Sequence, residues 1–137
     1  MRSQEPLIVI VCGSRSWADR DVVFSDLDSL LADHTEIQIV HGACPKGADW
    51  FAHQWFQMRL SSYALRLSEL RFPANWEKHG KAAGFRRNVD MAHQSGAHHC
   101  LAYWDGVSPG TMHMIGCCAK HGIDVTITAP KRGKGRP

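Results

Sequence analysis

The chain has 137 residues, 44% of them apolar, enough for one domain with a real core and too many for a largely disordered polymer. Its net charge of +3 is concentrated at one end: the closing "KRGKGRP" holds four of the sixteen basic residues, so the remainder is close to neutral and offers no broad nucleic-acid face. No apolar run approaches the ~20 residues of a bilayer span, and five cysteines (Cys12, Cys44, Cys100, Cys117, Cys118) without a CxxC argue against a disulfide framework and for a reducing, cytoplasmic setting.

In chain order, Leu7–Cys12 is a continuous β-branched and apolar run closed by Gly13, which reads as a buried parallel strand and not as a signal peptide. Asp19 or Asp21 then caps a helix carrying Val22, Val23, Leu27, Leu30 and Leu31. Ile37–Val40 is a second strand. "HGACPKGADW" follows it and leads into a helix from about Ala48 to Leu60. A short strand falls near Leu67–Phe72, ended by Pro73. "PANWEKHGKAAGFRRN" reads as a long polar connection, with helix from Arg86 to Gln94 and Gly96 past its end. His99–Trp104 is a strand, Ser108–His121 a helix and Asp124–Thr128 a last strand. The alternation predicts an α/β fold over residues 1–129: five parallel strands, helices on both faces and right-handed crossovers, followed by a basic disordered tail at 130–137.

In such folds ligands collect outside the carboxyl ends of the strands. Four consecutive strand-to-helix loops are rich in Gly, Ser, Thr, Arg and Lys, whereas the helix-to-strand loops are short and plain. Gly110-Thr111 opens a helix, where free backbone N–H groups favour a phosphate. Gly13, Ser14 and Arg15 offer close backbone approach, a hydroxyl and a guanidinium. Gly42 and Gly47 permit the positive φ angles of an anion nest beside Lys46. Arg86, Arg87 and Asn88 fall in the first turn of a helix, where cations oppose the dipole, so ligand contact accounts for their place better than helix stability does. Trp76 and Trp104 either stack on a base or pack. Asp49 reads as a helix-entry residue or an acid, and Asp105 is open in the same way. His113, Cys117 and His121 share a helix face, but three groups over two turns converge poorly on one ion, so no metal is expected. GxGxxG, GxxxxGK[ST] and GxSxG are all missing, which excludes the ordinary dinucleotide, P-loop and nucleophile-elbow signatures.

Taken together, "CGSR", "HGACPKGAD", "FPANWEKHGKAAGFRRN" and "SPGT" resemble the YspA-like, YpsA-related branch of the SLOG superfamily over about Val9 to Ile127. The resemblance implies a Rossmann-like three-layer α/β/α sandwich and a bacterial or phage source. It also implies a nucleotide or nucleotide-derived ligand such as ADP-ribose or an NAD-related signal, with no resident cofactor. Carried over by position, the ligand-facing residues are Gly13, Arg15, Gly42, Gly47, Asp49, Arg87, Asn88, Gly110 and Thr111; the residues themselves add Ser14, Lys46 and Trp76. The related phosphoribohydrolases carry PGGxGTxxE, and this chain has Met114 where that glutamate falls, which speaks against their reaction in its usual form.

Three functions are in play. The first is a nucleotide-ligand sensor, sequestering protein or accessory factor. The second is a hydrolase of an N-glycosidic or phosphate bond, with Asp49, Asp105 and His79 as the available groups. The third is single-stranded DNA binding, by analogy with the superfamily's DNA-processing protein DprA. Five tryptophans and the apolar stretch Trp50–Phe56 point to a homodimer or higher oligomer.

Overall fold

A computed structural model describes residues 5–131. Five strands, β1 (Leu7–Gly13), β2 (Ile37–His41), β3 (Leu67–Arg71), β4 (His99–Tyr103) and β5 (Asp124–Thr128), form one sheet in the order β3-β2-β1-β4-β5, and every pairing is parallel. Helices α1 (Arg20–Asp33) and α2 (Gly47–Tyr63) link β1, β2 and β3. A short α3 (Trp76–His79), a 3-10 turn (Gly80–Ala82) and α4 (Ala83–Gln94) link β3 to β4, and α5 (Pro109–Lys120) links β4 to β5. The result is a Rossmann-like α/β sandwich in which strand order reverses between β1 and β4.

The period of two along β1 distributes the core. Val9 and Val11 face α1 and α2, where they meet Val23, Leu27, Leu31, Ala52 and Trp55. Ile10 and Cys12 face α4 and α5, among Met91, Cys100, Met114 and Cys118. Both faces of the central strand are dry, which is why its sequence is continuously apolar instead of alternating. Trp55 is fully buried and donates its indole N–H to Asp28 at 2.8 Å; Arg59 grips the same carboxylate with two 2.9 Å bonds.

Asp19 caps α1 by accepting from the Val22 N–H. Helix α2 runs one residue earlier and three later than its apolar positions indicate. The connection after β3 differs more. Asn75 caps a helical turn at Trp76, and α4 begins at Ala83, one turn before Arg86. Two glycines, Gly80 and Gly84, make that stretch look like loop, yet Gly84 packs beneath the Trp76 ring, where a Cβ would sit 3.5 Å from the indole. Phe51 and Phe56 pack against the core, while Trp50 and Met58 of α2 stay exposed. The basic tail lies outside the described residues from 132 on; Lys131 is 3.7 Å from Asp19. Among the described residues no helix is long and apolar enough to cross a membrane.

Candidate functional site

The four strand-to-helix loops converge. A cavity of about 450 Å³ opens at the carboxyl ends of β1, β2 and β4, beside the point where strand order reverses. Its lining includes Gly13, Ser14, Arg15, Gly42, Asp49, Trp76, Arg87, Asn88, Gly110 and Thr111, from every block of the sequence that was singled out. A neighbouring cavity of about 570 Å³ holds Lys46 and shares Arg15, Gly42, Cys44, Trp76 and Arg87 as a common wall.

Each loop reaches the cavity for a local reason. Gly13 ends β1 where a Cβ would lie 2.6 Å from the Tyr103 carbonyl oxygen and 2.8 Å from the Ala48 methyl, so no larger residue fits between β4 and α2. The buried Ser14 ties two loops together: its N–H donates to Tyr103 O at 2.9 Å, and its Oγ accepts the Asp105 N–H at 3.1 Å. Gly47, at φ +69°, packs against the Ser14 carbonyl and Arg15 Cα; it joins the first two loops and does not itself line the cavity.

Gly42 does not take the expected left-handed conformation. The positive φ belongs to Ala43, at 58°, the only such non-glycine residue among those described, and this costs about 1–2 kcal/mol for an alanine. Gly42 is needed for another reason: a Cβ there would overlap the Arg87 guanidinium. Gly110, which lines the cavity, has open space where a Cβ would stand, so the protein's own packing does not demand a glycine there.

Arg87 sits in the second turn of α4, so the argument from dipole repulsion in a first turn does not apply to it. Its guanidinium donates to the Gly42 carbonyl and, at 3.0 Å, to Asn88 Oδ1. Asn88 in turn donates to Gly110 O at 3.1 Å, tying α4 to the start of α5. Arg86 is exposed and outside the cavity lining. Arg15 lies over Trp76, 5.9 Å from the ring centroid, and Trp76 remains half exposed at the rim. Trp104 donates its indole N–H to Ser108 O and is half-buried beside the cavity.

The two carboxylates differ sharply. Asp49 is buried in the cavity wall and accepts the Cys44 N–H at 3.3 Å. Burial pushes its carboxyl above the usual range, against the opposing pull of Arg87 and the Cys44 N–H. Asp105 stands outside the lining and braces its own loop, accepting from the Val107 and Ser108 N–H groups at 2.9 and 2.8 Å and from the Ser108 hydroxyl at 3.0 Å. Those backbone bonds hold its carboxyl down at about 2, so it stays ionised. His79 lies outside the lining too.

The helix starts at this edge differ in how they are capped. Asp19 and Asn75 cap α1 and α3 with their side chains. Helices α2 and α5, which open at the two cavities, have no side-chain cap: Lys46 supplies none, and Ser108 spends its hydroxyl on Asp105. Their first N–H groups therefore remain available to an anion.

Among the described residues one group brings possible metal donors together: His41, His53 and Glu69, whose ligand atoms lie within 4.8 Å of one another. No motif in the sequence marks these three together. Their separation of 28 positions, from His41 to Glu69, hides the pairing; the available signal is a histidine ending an apolar strand, which needs a buried partner. His113, Cys117 and His121 do not gather. His113 meets Asn88 and the Cys117 sulfur, while His121 stacks near His93. Lys81 and Phe85 also line the cavity, although the glycine-bearing connection that carries them reads as loop in the sequence.

A parallel Rossmann-like sheet whose carboxyl edge gathers arginines, uncapped helix starts and an exposed indole defines an α/β protein of the ligand-binding type. The chain belongs to the YspA, cpYpsA-related SLOG family, whose family model matches residues 7–79. It is similar to the Gene 61 protein of Mycobacterium phage D29, 40% identical over 119 residues that cover 85% of this chain and 92% of the relative.

Proposed function

We propose that the protein binds a nucleotide or nucleotide-derived ligand, such as a nucleoside phosphate or ADP-ribose, as a sensor, sequestering or accessory protein. Family membership supports nucleotide-related ligand binding in general. The observation that carries the finer reading is the convergence of Arg15, Arg87, the uncapped α5 start at Gly110-Thr111 and the exposed Trp76 ring on one cavity. Guanidinium groups and helix N–H donors suit phosphate, and the indole face suits a base. Thermal unfolding with AMP, ADP-ribose and NAD tests it: a ligand at a hundred times its Kd adds about 2.7 kcal/mol and raises the midpoint by about 5–10 °C. No shift with any of them at millimolar concentration contradicts the reading.

Asp49 favours a second reading, hydrolysis of the ligand's N-glycosidic bond. It is a buried carboxyl with a raised pKa in the cavity wall, suited to give a proton to a leaving base. Met114, also in the lining, offers no second acid or base. Release of free base that disappears in Asp49→Asn supports this reading, and intact ligand after long incubation removes it. The exposed Trp50 and Met58 of α2 support a homodimer, and light scattering at the monomer mass would contradict it.

A further inference from the structure

His41, the last residue of β2, is 1% exposed and has a hydrogen bond at each ring nitrogen. Its Nδ1 accepts the Ala43 N–H at 3.0 Å. That bond needs a lone pair on Nδ1, so the ring proton sits on Nε2, where it donates to Glu69 Oε2 at 2.7 Å. His53 meets the same oxygen with its Nδ1 at 2.6 Å. Burial pushes the Glu69 carboxyl up, but the His41 and His53 hydrogen bonds outweigh it and hold the group ionised. A carboxylate only accepts, so both rings donate to it.

Two imidazoles and a carboxylate also make a zinc donor set. A metal on His41 Nε2 would send the ring proton to Nδ1, where it would face the Ala43 N–H donor to donor. The geometry fits a hydrogen-bonded relay instead. The bond from Nδ1 to the N–H two residues on is the one that an Asn or Asp side chain makes in an Asx-turn. It secures Ala43 in its left-handed conformation. On either side of Ala43, the Gly42 carbonyl accepts from Arg87 and the Cys44 N–H donates to Asp49.

We propose that Glu69 and His41 are positioning residues for the ligand cavity: Glu69 selects the His41 tautomer, His41 holds Ala43 in the left-handed turn, and the turn aims the Gly42 carbonyl at Arg87. The ligand part of this proposal rests on the reading above that the cavity takes a nucleotide-type anion, whereas the relay itself is measurable in the free protein.

The test compares His41→Asn, which keeps an acceptor for the Ala43 N–H and loses the reach to Glu69, with His41→Gln, which reaches toward Glu69 and loses that acceptor. In the free protein, long-range ¹⁵N–¹H NMR is expected to find His41 protonated on Nε2 alone. Ala43 amide exchange should be slow in wild type and His41→Asn and at least tenfold faster in His41→Gln. Calorimetry with ADP-ribose should place His41→Asn within threefold of wild type and His41→Gln at least tenfold weaker. Adding Ala43→Gly to His41→Gln should restore affinity, because glycine takes the left-handed turn unaided. The tautomer measurement uses wild type and so does not depend on any variant folding. His41 protonated on Nδ1, equal Ala43 exchange in the two variants, or stoichiometric zinc uptake abolished by His53→Ala would each overturn the relay. The expected exchange pattern with no binding of AMP or ADP-ribose by wild type would count against the ligand reading and leave the relay standing.

Discussion

The two edges of the sheet carry similar residues and use them differently. At the amino edge, Arg66 donates to Leu31 O, His34 O and Thr35 O, each at 2.8 Å, and so finishes the end of α1. Gly96 and Gly122 take positive φ just past α4 and α5, and His98 Nδ1 accepts the Ile8 N–H. A cavity of about 270 Å³ lies there as well, but its arginine is Arg66, already occupied. At the carboxyl edge Arg87 is held by Gly42 O and Asn88, but the side chains of Arg15, Lys46 and Lys81 make no hydrogen bond or ion pair among the described residues, and α2 and α5 begin without side-chain caps. Hydrogen-bonding capacity left unspent, more than charge or concavity, separates a candidate site from a structural edge.

The most damaging change should be Gly47→Ala at the carboxyl edge. The left-handed backbone alone costs about 1–3 kcal/mol, and the new methyl would overlap the Ser14 carbonyl. Urea unfolding should show a loss at or above the top of that range. Arg66→Ala at the amino edge should cost about 1.5–3 kcal/mol by the same assay, by stripping a charged donor from three carbonyls, with ligand affinity unchanged. Arg87→Ala should weaken ADP-ribose binding by roughly 10–100-fold in calorimetry, the worth of a hydrogen bond to a charged group. Arg15→Ala should weaken it roughly tenfold while stability stays within about 0.5 kcal/mol, the reverse of Arg66→Ala. If Arg15→Ala unfolds the protein and Arg66→Ala abolishes binding, the contrast between the edges is broken.

Asp105→Asn should have the smallest effect, a loss seen near neutral pH that vanishes in acid. The folded-state pKa of Asp105 is depressed to about 2. Its contribution is therefore complete above the ordinary Asp range near pH 4 and is lost as the pH falls toward 2. Urea melts across that window should be flatter in Asp105→Asn than in wild type.

The framework was legible because strand burial and helix alternation are written locally. The continuous apolar run Leu7–Cys12, buried on both faces from Val9 on, and the Gly-rich stretches after the first four strands point to a parallel sheet with a site at one edge. What the sequence hid was decided by contacts distant along the chain. Nothing near Gly42 shows that Arg87, 45 residues on, needs the space of its missing side chain. Nothing near Ala43 marks it for a left-handed turn, because the support comes from His41 and, beyond it, from Glu69. The start of α4 is obscured by Gly80, which ends α3 at positive φ, and by Gly84, whose low helix propensity is overridden by packing against Trp76. Asp105 looked like a candidate acid because its three loop-bracing bonds lie within its own turn, a pattern shared by catalytic and structural aspartates.

The central claim, that the carboxyl edge of this sheet receives a phosphorylated ligand, is tested most directly by amide chemical-shift mapping during an ADP-ribose titration. The account predicts saturable shifts clustered at Arg15 and Ser16, at Gly42 to Cys44 and at Gly110 to Met112, with residues around Arg66 unmoved. Shifts centred on Glu36, Leu65 and Arg66, or none at millimolar ligand, would contradict it.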